Sequence, residues 1–429
     1  MMNRLTNSTS LSPFIVKHQR GIWDMCRAST LTFIVLLLCN SMQAQALSSA
    51  EKEQWTPAQA AEWSAQFPWI IGFNYAPRSA INQLEMWQEE TFDPLVIDQE
   101  LGWAAEIGFT MVRVFLHHLL WQQDADAFSK RIDKFLAIAD AHDIDVMFVL
   151  FDDVWNPLPQ LGQQPLARPG VHNSGWVQSP GAAVLGDINR HDELEPYVRG
   201  ILSRYGQDKR VAIWDLYNEP GNLNAIAYGN VELDDKPMYS LNLLSKTFAW
   251  ARDENPMQPL TSGVWRLNNG NWRGADKDDD GAALFNFMLQ NSDIVTFHSY
   301  ENAANTNKAI QSLKVLDRPM ICTEYLARGR DSTFESLLPL FSSNNIGAMH
   351  WGFVSGKTQT IYPWRSWVSV IRFWDGLFSD EPNPWHHDLL EADGSPYRLS
   401  EVEFIRAQIS GVKSDGRIMQ VLEFQVQPW

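Results

Sequence analysis

The sequence is poor in cysteine and poor in positive charge. Only three cysteines occur among 429 residues, which excludes the disulfide framework typical of small secreted domains and requires a hydrophobic core for stability. Lys and Arg number 34 against 51 Asp and Glu, giving a net charge of −17. Because nucleic-acid binding requires a basic surface, we expect no nucleic-acid partner.

No apolar run is long enough to span a bilayer, and the strongest one lies near the N-terminus. Lys17, Arg20 and Arg27 precede the run 31–38, and the small-residue sequence Ala44-Gln45-Ala46 follows it. We therefore predict that residues 1–46 are a secretory signal peptide, which could also start at Met25. A lipoprotein acylated at Cys39 is the alternative. The mature protein is expected to be secreted or periplasmic, with Cys322 as its one cysteine.

Tryptophan, in contrast, is abundant, with 19 residues. A core rarely uses so many, because each buried indole N–H needs a hydrogen-bond partner. Flat indole rings are suited to stack on the apolar faces of sugar rings. The composition therefore indicates a glycan-binding cleft, and the tryptophans that follow strands or lie in loops are candidate sugar platforms: Trp121, Trp155, Trp176, Trp265 and Trp364.

Short apolar or β-branched runs alternate with helical patterns along the chain, which predicts a parallel sheet with crossover helices. Eight such runs predict a (β/α)8 TIM barrel, with residues 47–429 as one domain carrying elaborated βα loops. The longest of these loops, 152–192, is rich in Pro, Gly and Asn and is expected to cover the site. The predicted strands are 69–75, 110–116, 145–151, 211–217, 260–264, 294–298, 320–323 and 347–351.

Two glutamates stand at the C-terminal ends of predicted strands, where barrel enzymes carry their chemistry. Glu219 ends the fourth strand and Glu324 ends the seventh. Retaining glycosidases need two carboxyl groups about 5–5.5 Å apart, one as nucleophile and one as acid/base. The nucleophile must stay ionised, and a nearby cation such as Arg113 and a hydrogen bond from Tyr300 would favour this. We predict Glu219 as the acid/base and Glu324 as the nucleophile.

The motifs around both glutamates resemble those of clan A glycoside hydrolases, and family 5 in particular. WDLYNEPGN surrounds Glu219 and resembles the acid/base signature, while PMICTEYLAR surrounds Glu324 and looks like the nucleophile strand. The resemblance implies that Asn218 binds the sugar 2-hydroxyl and that Arg113 orients the nucleophile. It also implies sugar-contacting roles for the strand-six pair and for the tryptophan after strand eight: His298, Tyr300 and Trp351.

The sequence departs from this resemblance at the end of the third strand. Many family 5 enzymes carry a histidine there, whereas this chain has Phe151-Asp152-Asp153. The predicted reaction is hydrolysis of β-glycosidic bonds in an oligo- or polysaccharide with retention, by a monomer that needs no cofactor. The alternatives are a retaining α-L-arabinofuranosidase or transglycosylase on the same barrel, and a non-catalytic glycan-binding barrel.

Two sequence features invite a metal-site interpretation. The pairs His117-His118 and His386-His387 lack an evident third ligand, and we expect His118 to line the mouth of the cleft instead. The acidic run containing Asp276, Asp278 and Asp280 matches the first half of a calcium loop but has Phe287 where the bidentate Glu belongs. We interpret this run as a solvated turn, with bound calcium as the alternative.

Overall fold

Eight parallel strands form a nearly closed barrel in the computed structural model, which describes residues 53–265, 267–268, 271–272, 280–368 and 381–415. The predicted signal peptide, Asp276 and Asp278 lie outside these residues, and Asp280 is the first residue of a helix. The strands are β1 Ile71–Tyr75, β2 Met111–Phe115, β3 Asp145–Asp152, β4 Val211–Asn218, β5 Leu260–Thr261, β6 Val295–His298, β7 Met320–Glu324 and β8 Gly347–His350.

The strand order is β5-β4-β3-β2-β1-β8-β7-β6, so β1 pairs with both β2 and β8. The remaining side of the barrel is joined at one point, where Val264, just after β5, bridges to Phe297 on β6. All eight predicted strands are confirmed, with bounds that differ by up to three residues. The (β/α)8 TIM barrel is thus the fold of the chain.

Helices lie between the strands along the chain. They are α1 Pro57–Ser64, α2 Gln83–Trp87, α3 Pro94–Ile107, α4 His118–Ala141, α5 Ala182–Leu185, α6 Glu195–Tyr205, α7 Ala225–Tyr228, α8 Lys236–Asp253, α9 Asp280–Asn291, α10 Ala303–Leu313, α11 Phe334–Ser343 and α12 Leu399–Asp415. Local sequence sets their ends: α3 starts where the Asp93 side chain accepts bonds from two backbone amides, and it stops at Gly108, whose φ is 107°. None of the described helices is long and apolar enough to cross a membrane.

The inward faces of the strands form layers that change character along the barrel axis. On β2, alternate residues Met111, Arg113 and Phe115 point inward, because successive side chains of a strand face opposite sides. Met111 belongs to a bottom apolar layer, and Phe115 belongs to an aromatic cluster at the top with Trp176 and Trp351. Arg113 therefore occupies the middle of the barrel, beneath the face where the polar residues collect.

The outward faces of the strands pack against the surrounding helices in one large core. Strands covered on both sides read as continuous apolar runs, as in the stretch 146–151 of β3. Cys322 on β7 belongs to this core and is fully buried, and its thiol is not in a disulfide. Burial raises the pKa of this thiol far above its ordinary value, because it disfavours the thiolate.

Candidate active site

A buried arginine organises the centre of the barrel mouth. Arg113 is 0% exposed, and its five N–H groups are all used. Two donate to one carboxylate oxygen of Asp215, at 3.0 and 2.7 Å. The others donate to Asn74 at 2.8 Å, Glu324 at 2.8 Å and Asn218 at 2.7 Å. Burial alone would lower the pKa of Arg113, but the carboxylates of Asp215 and Glu324 outweigh it, so the pKa is raised and the side chain stays a cation.

Glu324 ends β7 and accepts hydrogen bonds on both carboxylate oxygens. Arg113 donates to Oε1 at 2.8 Å, and the Tyr300 hydroxyl donates to Oε2 at 2.7 Å. The side chain is almost buried, and burial raises the pKa of Glu324 above its ordinary value, whereas the charge of Arg113 and the Tyr300 hydrogen bond act to lower it. The Tyr300 pKa is itself raised well above its ordinary value by burial and by this carboxylate, so the hydroxyl remains a proton donor.

Glu219 follows β4 directly and faces Glu324 across the cleft. Carboxylate oxygens of the two residues lie within 4.8 Å of each other. The Glu219 Oε1 atom is 2.8 Å from Nδ1 of His298, and Oε2 accepts a 2.5 Å bond from the Asn222 amide. Burial lowers the pKa of His298 to about 4, so the imidazole is neutral near neutral pH. The backbone of Glu219 has φ 44°, a left-handed value that is unusual outside glycine and common at functional turns.

The two aspartates that replace the expected histidine hold neighbouring residues in place. Asp152 accepts from the Asn218 amide at 2.9 Å and from the Trp176 indole at 2.7 Å, and burial raises its pKa to about 7. Asp153 accepts from the backbone amide of Gly221 at 2.7 Å and from the Tyr217 hydroxyl at 2.8 Å. Asp152 therefore orients Asn218, and Asp153 fixes the turn that carries Glu219.

Aromatic side chains surround both carboxylates in a cleft of about 360 Å³. Trp351, just past β8, is half-buried and lies edge-on to Phe115 and Trp176, with ring centroids 5.8 Å away in each case. Trp155, whose φ is 68°, stacks on Trp367 with ring centroids 5.5 Å apart. The predicted site residues that line this cleft are Trp155, Asn218, Glu219, Tyr300, Glu324 and Trp351.

Several expected cleft residues lie elsewhere. Trp121 is in α4, where it packs against Tyr197 and not against the cleft. Trp176 is buried beneath the cleft, and its indole N–H donates to Asp152. Trp265 and Trp364 do line the cleft. His118 is also buried, since the chain turns into α4 at this residue and its ring bonds Ser179 at 3.0 Å.

The cleft also contains residues that the sequence analysis missed. They come from three loops: the β3 loop, residues 153–181, the loop that follows β4, and the β8 loop, residues 351–398 in its described parts. No periodicity marks them in the sequence, and Asn222 alone falls within a quoted motif, as the last residue of WDLYNEPGN. The residues that line the cleft from these loops include His172, Asn173, Trp367, Asn222 and Asn224.

Within the described part of the chain, one group of three residues has metal-ligating atoms within 4.8 Å of one another, and it is Glu219, His298 and Glu324. The cation Arg113 lies 2.8 Å from Glu324, and the imidazole nitrogen that faces the carboxylates is already bonded to Glu219. A further positive charge would be repelled here, so the donor set fits proton-transfer and nucleophilic chemistry better than metal binding. Neither histidine pair belongs to such a group.

Comparison with known proteins yields structural similarity only. No known protein family and no curated protein matches the chain by sequence. Solved structures that share its fold include GH5_18 from Streptomyces cattleya in complex with GlcNAc, with TM-score 0.52 and 12% identity over 82% of each chain. The endo-1,4-beta-mannanase from Rhizomucor miehei has TM-score 0.52 and 14% identity over 81% of this chain and 95% of its own. The endo-beta-1,4-mannanase from Thermotoga petrophila has TM-score 0.50 and 15% identity over 82% and 78%. At this level of identity the similarity establishes the barrel fold.

Proposed function

We propose that the chain is a retaining glycoside hydrolase, with Glu324 as nucleophile and Glu219 as acid/base. The observation that carries this proposal is the pair of carboxylates within 4.8 Å, in unequal surroundings. Oxygen atoms this close fit a double displacement, in which the two carboxyl groups lie about 5–5.5 Å apart and the nucleophile reaches the anomeric carbon directly.

The surroundings of the two carboxylates support these roles. Glu324 has a cation and a phenol bonded to its two oxygens, which favours the ionised form that attacks carbon. Glu219 has an imidazole and an amide at its oxygens, a setting compatible with a carboxyl group that takes up and releases a proton.

The reaction then has two balanced steps. The Glu324 carboxylate attacks the anomeric carbon while Glu219 gives its proton to the glycosidic oxygen, so the bond to the leaving sugar breaks and a glycosyl ester of Glu324 forms. Water next attacks the same carbon and gives a proton to Glu219, and Glu324 leaves as a carboxylate. Two inversions restore the original configuration. We further propose that this reaction occurs outside the cytoplasm, on an oligo- or polysaccharide.

Hydrolysis of a glycan panel tests the proposed activity, and proton NMR of the earliest product tests retention. Aryl β-glycosides and β-linked polysaccharides are suitable, and β-1,4-mannan should be included because two of the structural neighbours are named mannanases. We expect release of a β-anomer before mutarotation. An α-anomer as first product would rule out the double displacement, and activity that persists in Glu324→Gln would rule out the site.

Trp351→Ala is expected to lower kcat/KM by roughly 10- to 100-fold, because an indole under the cleaved sugar is attracted to the positive charge that develops on its ring. Its melting temperature should fall only modestly, since Trp351 is half-buried at the barrel mouth. Kinetics and thermal unfolding on the same preparation measure both effects.

Trp121→Ala is the matched control, because Trp121 is also half-buried but packs on α6 away from the cleft. It should lose stability and keep its kcat/KM. If the two variants lose kcat/KM equally, Trp351 is not a sugar platform.

A further inference from the structure

A buried lysine fixes the turn that carries Glu219. Lys236, the first residue of α8, is 0% exposed, and its ammonium donates to the carbonyl oxygens of Asp153 and Asn222 at 2.9 Å each. It also pairs with the Glu232 carboxylate at 3.1 Å. Burying an ammonium is costly unless the group is paired and hydrogen-bonded, and these contacts meet both conditions. They tie the backbone at Asn222 to the end of β3 and to the start of α8.

Further hydrogen bonds hold Asn222 from within the turn. The backbone amide of Asn222 donates to the carbonyl oxygen of Glu219 at 3.1 Å. The Asn224 side-chain amide donates to the carbonyl oxygen of Asn222 at 3.2 Å and to the Glu232 carboxylate at 2.9 Å. Because both polar groups of its backbone are bonded, Asn222 has a defined position relative to Glu219.

The Asn222 side chain reaches back to the carboxylate of Glu219. Its Nδ2 atom donates to Oε2 at 2.5 Å, and Nδ1 of His298 lies 2.8 Å from Oε1. The two oxygens of Glu219 are therefore held from two different elements, the turn after β4 and the strand β6, which fixes the plane of the carboxyl group. Asn222 is half-buried and lines the same cleft as Glu219 and Glu324, so this bond lies at the place where the proposed reaction occurs.

The bond from Asn222 suits one charge state of Glu219 better than the other. An amide nitrogen can only donate and an ionised carboxylate can only accept, so the bond is strongest when Glu219 has lost its proton. In the first step of the proposed reaction the Glu219 proton passes to the glycosidic oxygen, and negative charge develops on the carboxylate. A donor that already faces this charge lowers the barrier of that step. In the second step Glu219 starts as a carboxylate, so the bond is present before the step begins and does not accelerate it.

We propose that Asn222 is a positioning residue for the acid/base, and that its amide stabilises the carboxylate that Glu219 becomes as it protonates the leaving group. Asn222 then matters most for substrates whose leaving group needs a proton, and little for substrates whose leaving group departs as an anion. This inference rests on the proposed glycosidase function, because Asn222 acts through Glu219 as the acid/base.

Two aryl β-glycosides that differ only in the leaving group test this role, with the sugar that the glycan panel identifies. We expect Asn222→Ala to lower kcat/KM roughly 10- to 100-fold on the phenyl glycoside, whose leaving group needs protonation, and less than about 3-fold on the dinitrophenyl glycoside. The melting temperature should change little, since the side chain is half-buried at the cleft. A loss on the dinitrophenyl glycoside as large as on the phenyl glycoside, or no loss on the phenyl glycoside, would overturn the role of Asn222.

Asn189→Ala is the matched control for the loss of an amide that faces a carboxylate. The Asn189 side-chain amide donates to the Asp187 carboxylate at 3.1 Å, and the residue is exposed and lies outside the cleft. This variant should keep its kcat/KM on both glycosides. Glu219→Ala separates the inference from the proposed function: if it lowers kcat/KM equally on both glycosides, the acid/base proposal fails and the role of Asn222 fails with it. If it spares the dinitrophenyl glycoside and Asn222→Ala does not, only the role of Asn222 is overturned.

The pH profile of kcat/KM on the phenyl glycoside gives a second readout, because its basic limb reports the loss of the acid/base proton. Asn222→Ala removes a donor to the ionised form, so the basic limb should move to higher pH by about 0.5–1 unit. Asn222→Asp keeps the shape of the side chain, removes the N–H group and adds a second carboxylate, so the limb should move further in the same direction. A basic limb that stays in place in either variant would overturn the proposed stabilisation.

Both variants leave unchanged the titratable groups that act on Glu219 from the surrounding elements. These groups are His298 on β6, Tyr300 after β6, Glu324 on β7 and Asp152 at the end of β3. A shift of the basic limb in the Asn222 variants therefore reports the lost bond from Asn222, and a structural disturbance alone would lower kcat/KM on both glycosides without moving the limb.

Discussion

Glu324→Gln is expected to lower kcat by roughly 10,000- to 1,000,000-fold on every substrate, because the amide cannot form the glycosyl ester. The fold should persist, since the amide oxygen can still accept from Arg113 while the amide nitrogen donates to the Tyr300 hydroxyl. Glu301→Gln is a suitable control, because Glu301 pairs with Arg330 at the surface and lies outside the cleft. Kinetics and thermal unfolding of both variants measure the effect.

Azide distinguishes the two glutamates. Glu219→Ala should hydrolyse natural glycans poorly and retain activity on an aryl glycoside with a good leaving group, which needs little protonation. Added azide should then attack the glycosyl ester and yield a β-glycosyl azide. Glu324→Ala with azide should instead yield the α-glycosyl azide through a single displacement. The opposite pairing of products with variants would show that the roles are exchanged.

Arg113→Met is expected to cost activity and stability together. It removes the donor and cation beside Glu324, for a loss of roughly 100- to 1,000-fold in kcat/KM. It also leaves Asp215 and Glu324 buried without their cation, which destabilises by about 3–5 kcal/mol. Arg252→Met is the matched control, because Arg252 pairs with the buried Asp293 away from the cleft. That variant should lose stability and keep its kcat/KM.

Two further variants identify the cause of the Arg113 effect. Arg113→Met combined with Asp215→Asn should regain part of the lost stability, since one of the unpaired charges is removed. Arg113→Lys keeps the charge and loses the planar fork, so the pKa of Glu324 should rise further and the acid limb of kcat/KM should move to higher pH. A pH profile unchanged in Arg113→Lys would show that Arg113 does not support the ionised nucleophile.

The residues proposed to react could be placed near one another from sequence because each lies at a fixed place in a repeating pattern. Glu219, Glu324 and Arg113 belong to strands whose apolar runs are clear, and the barrel brings strand ends together whatever the loops do. Trp121 and His118 show where that reasoning stops, because both follow a strand but belong to a helix that turns away from the cleft. A position after a strand therefore indicates proximity to the mouth and leaves the direction of the side chain open.

The contacts between the β3 loop and the β8 loop could not be predicted, because they join segments that are distant in sequence. The bond between Asn173 and Thr358 links residues that no local pattern relates, and Trp367 lies in a short segment without helical or strand periodicity. Asp152 and Asp153 were visible as a departure from the family 5 motif that the sequence resembles. Their role in positioning Asn218 and the turn that carries Glu219 became clear only from the hydrogen bonds.

The buried thiol of Cys322 can serve as an intrinsic probe of local opening of the barrel. It is the only cysteine of the described residues, it is fully buried, and it lies two positions before Glu324 on β7. Alkylating reagents act on thiolates that solvent can reach, so they should modify this residue only when β7 separates from its covering helices. The rate of modification then measures how often the strand that carries Glu324 leaves its place, without any engineered probe.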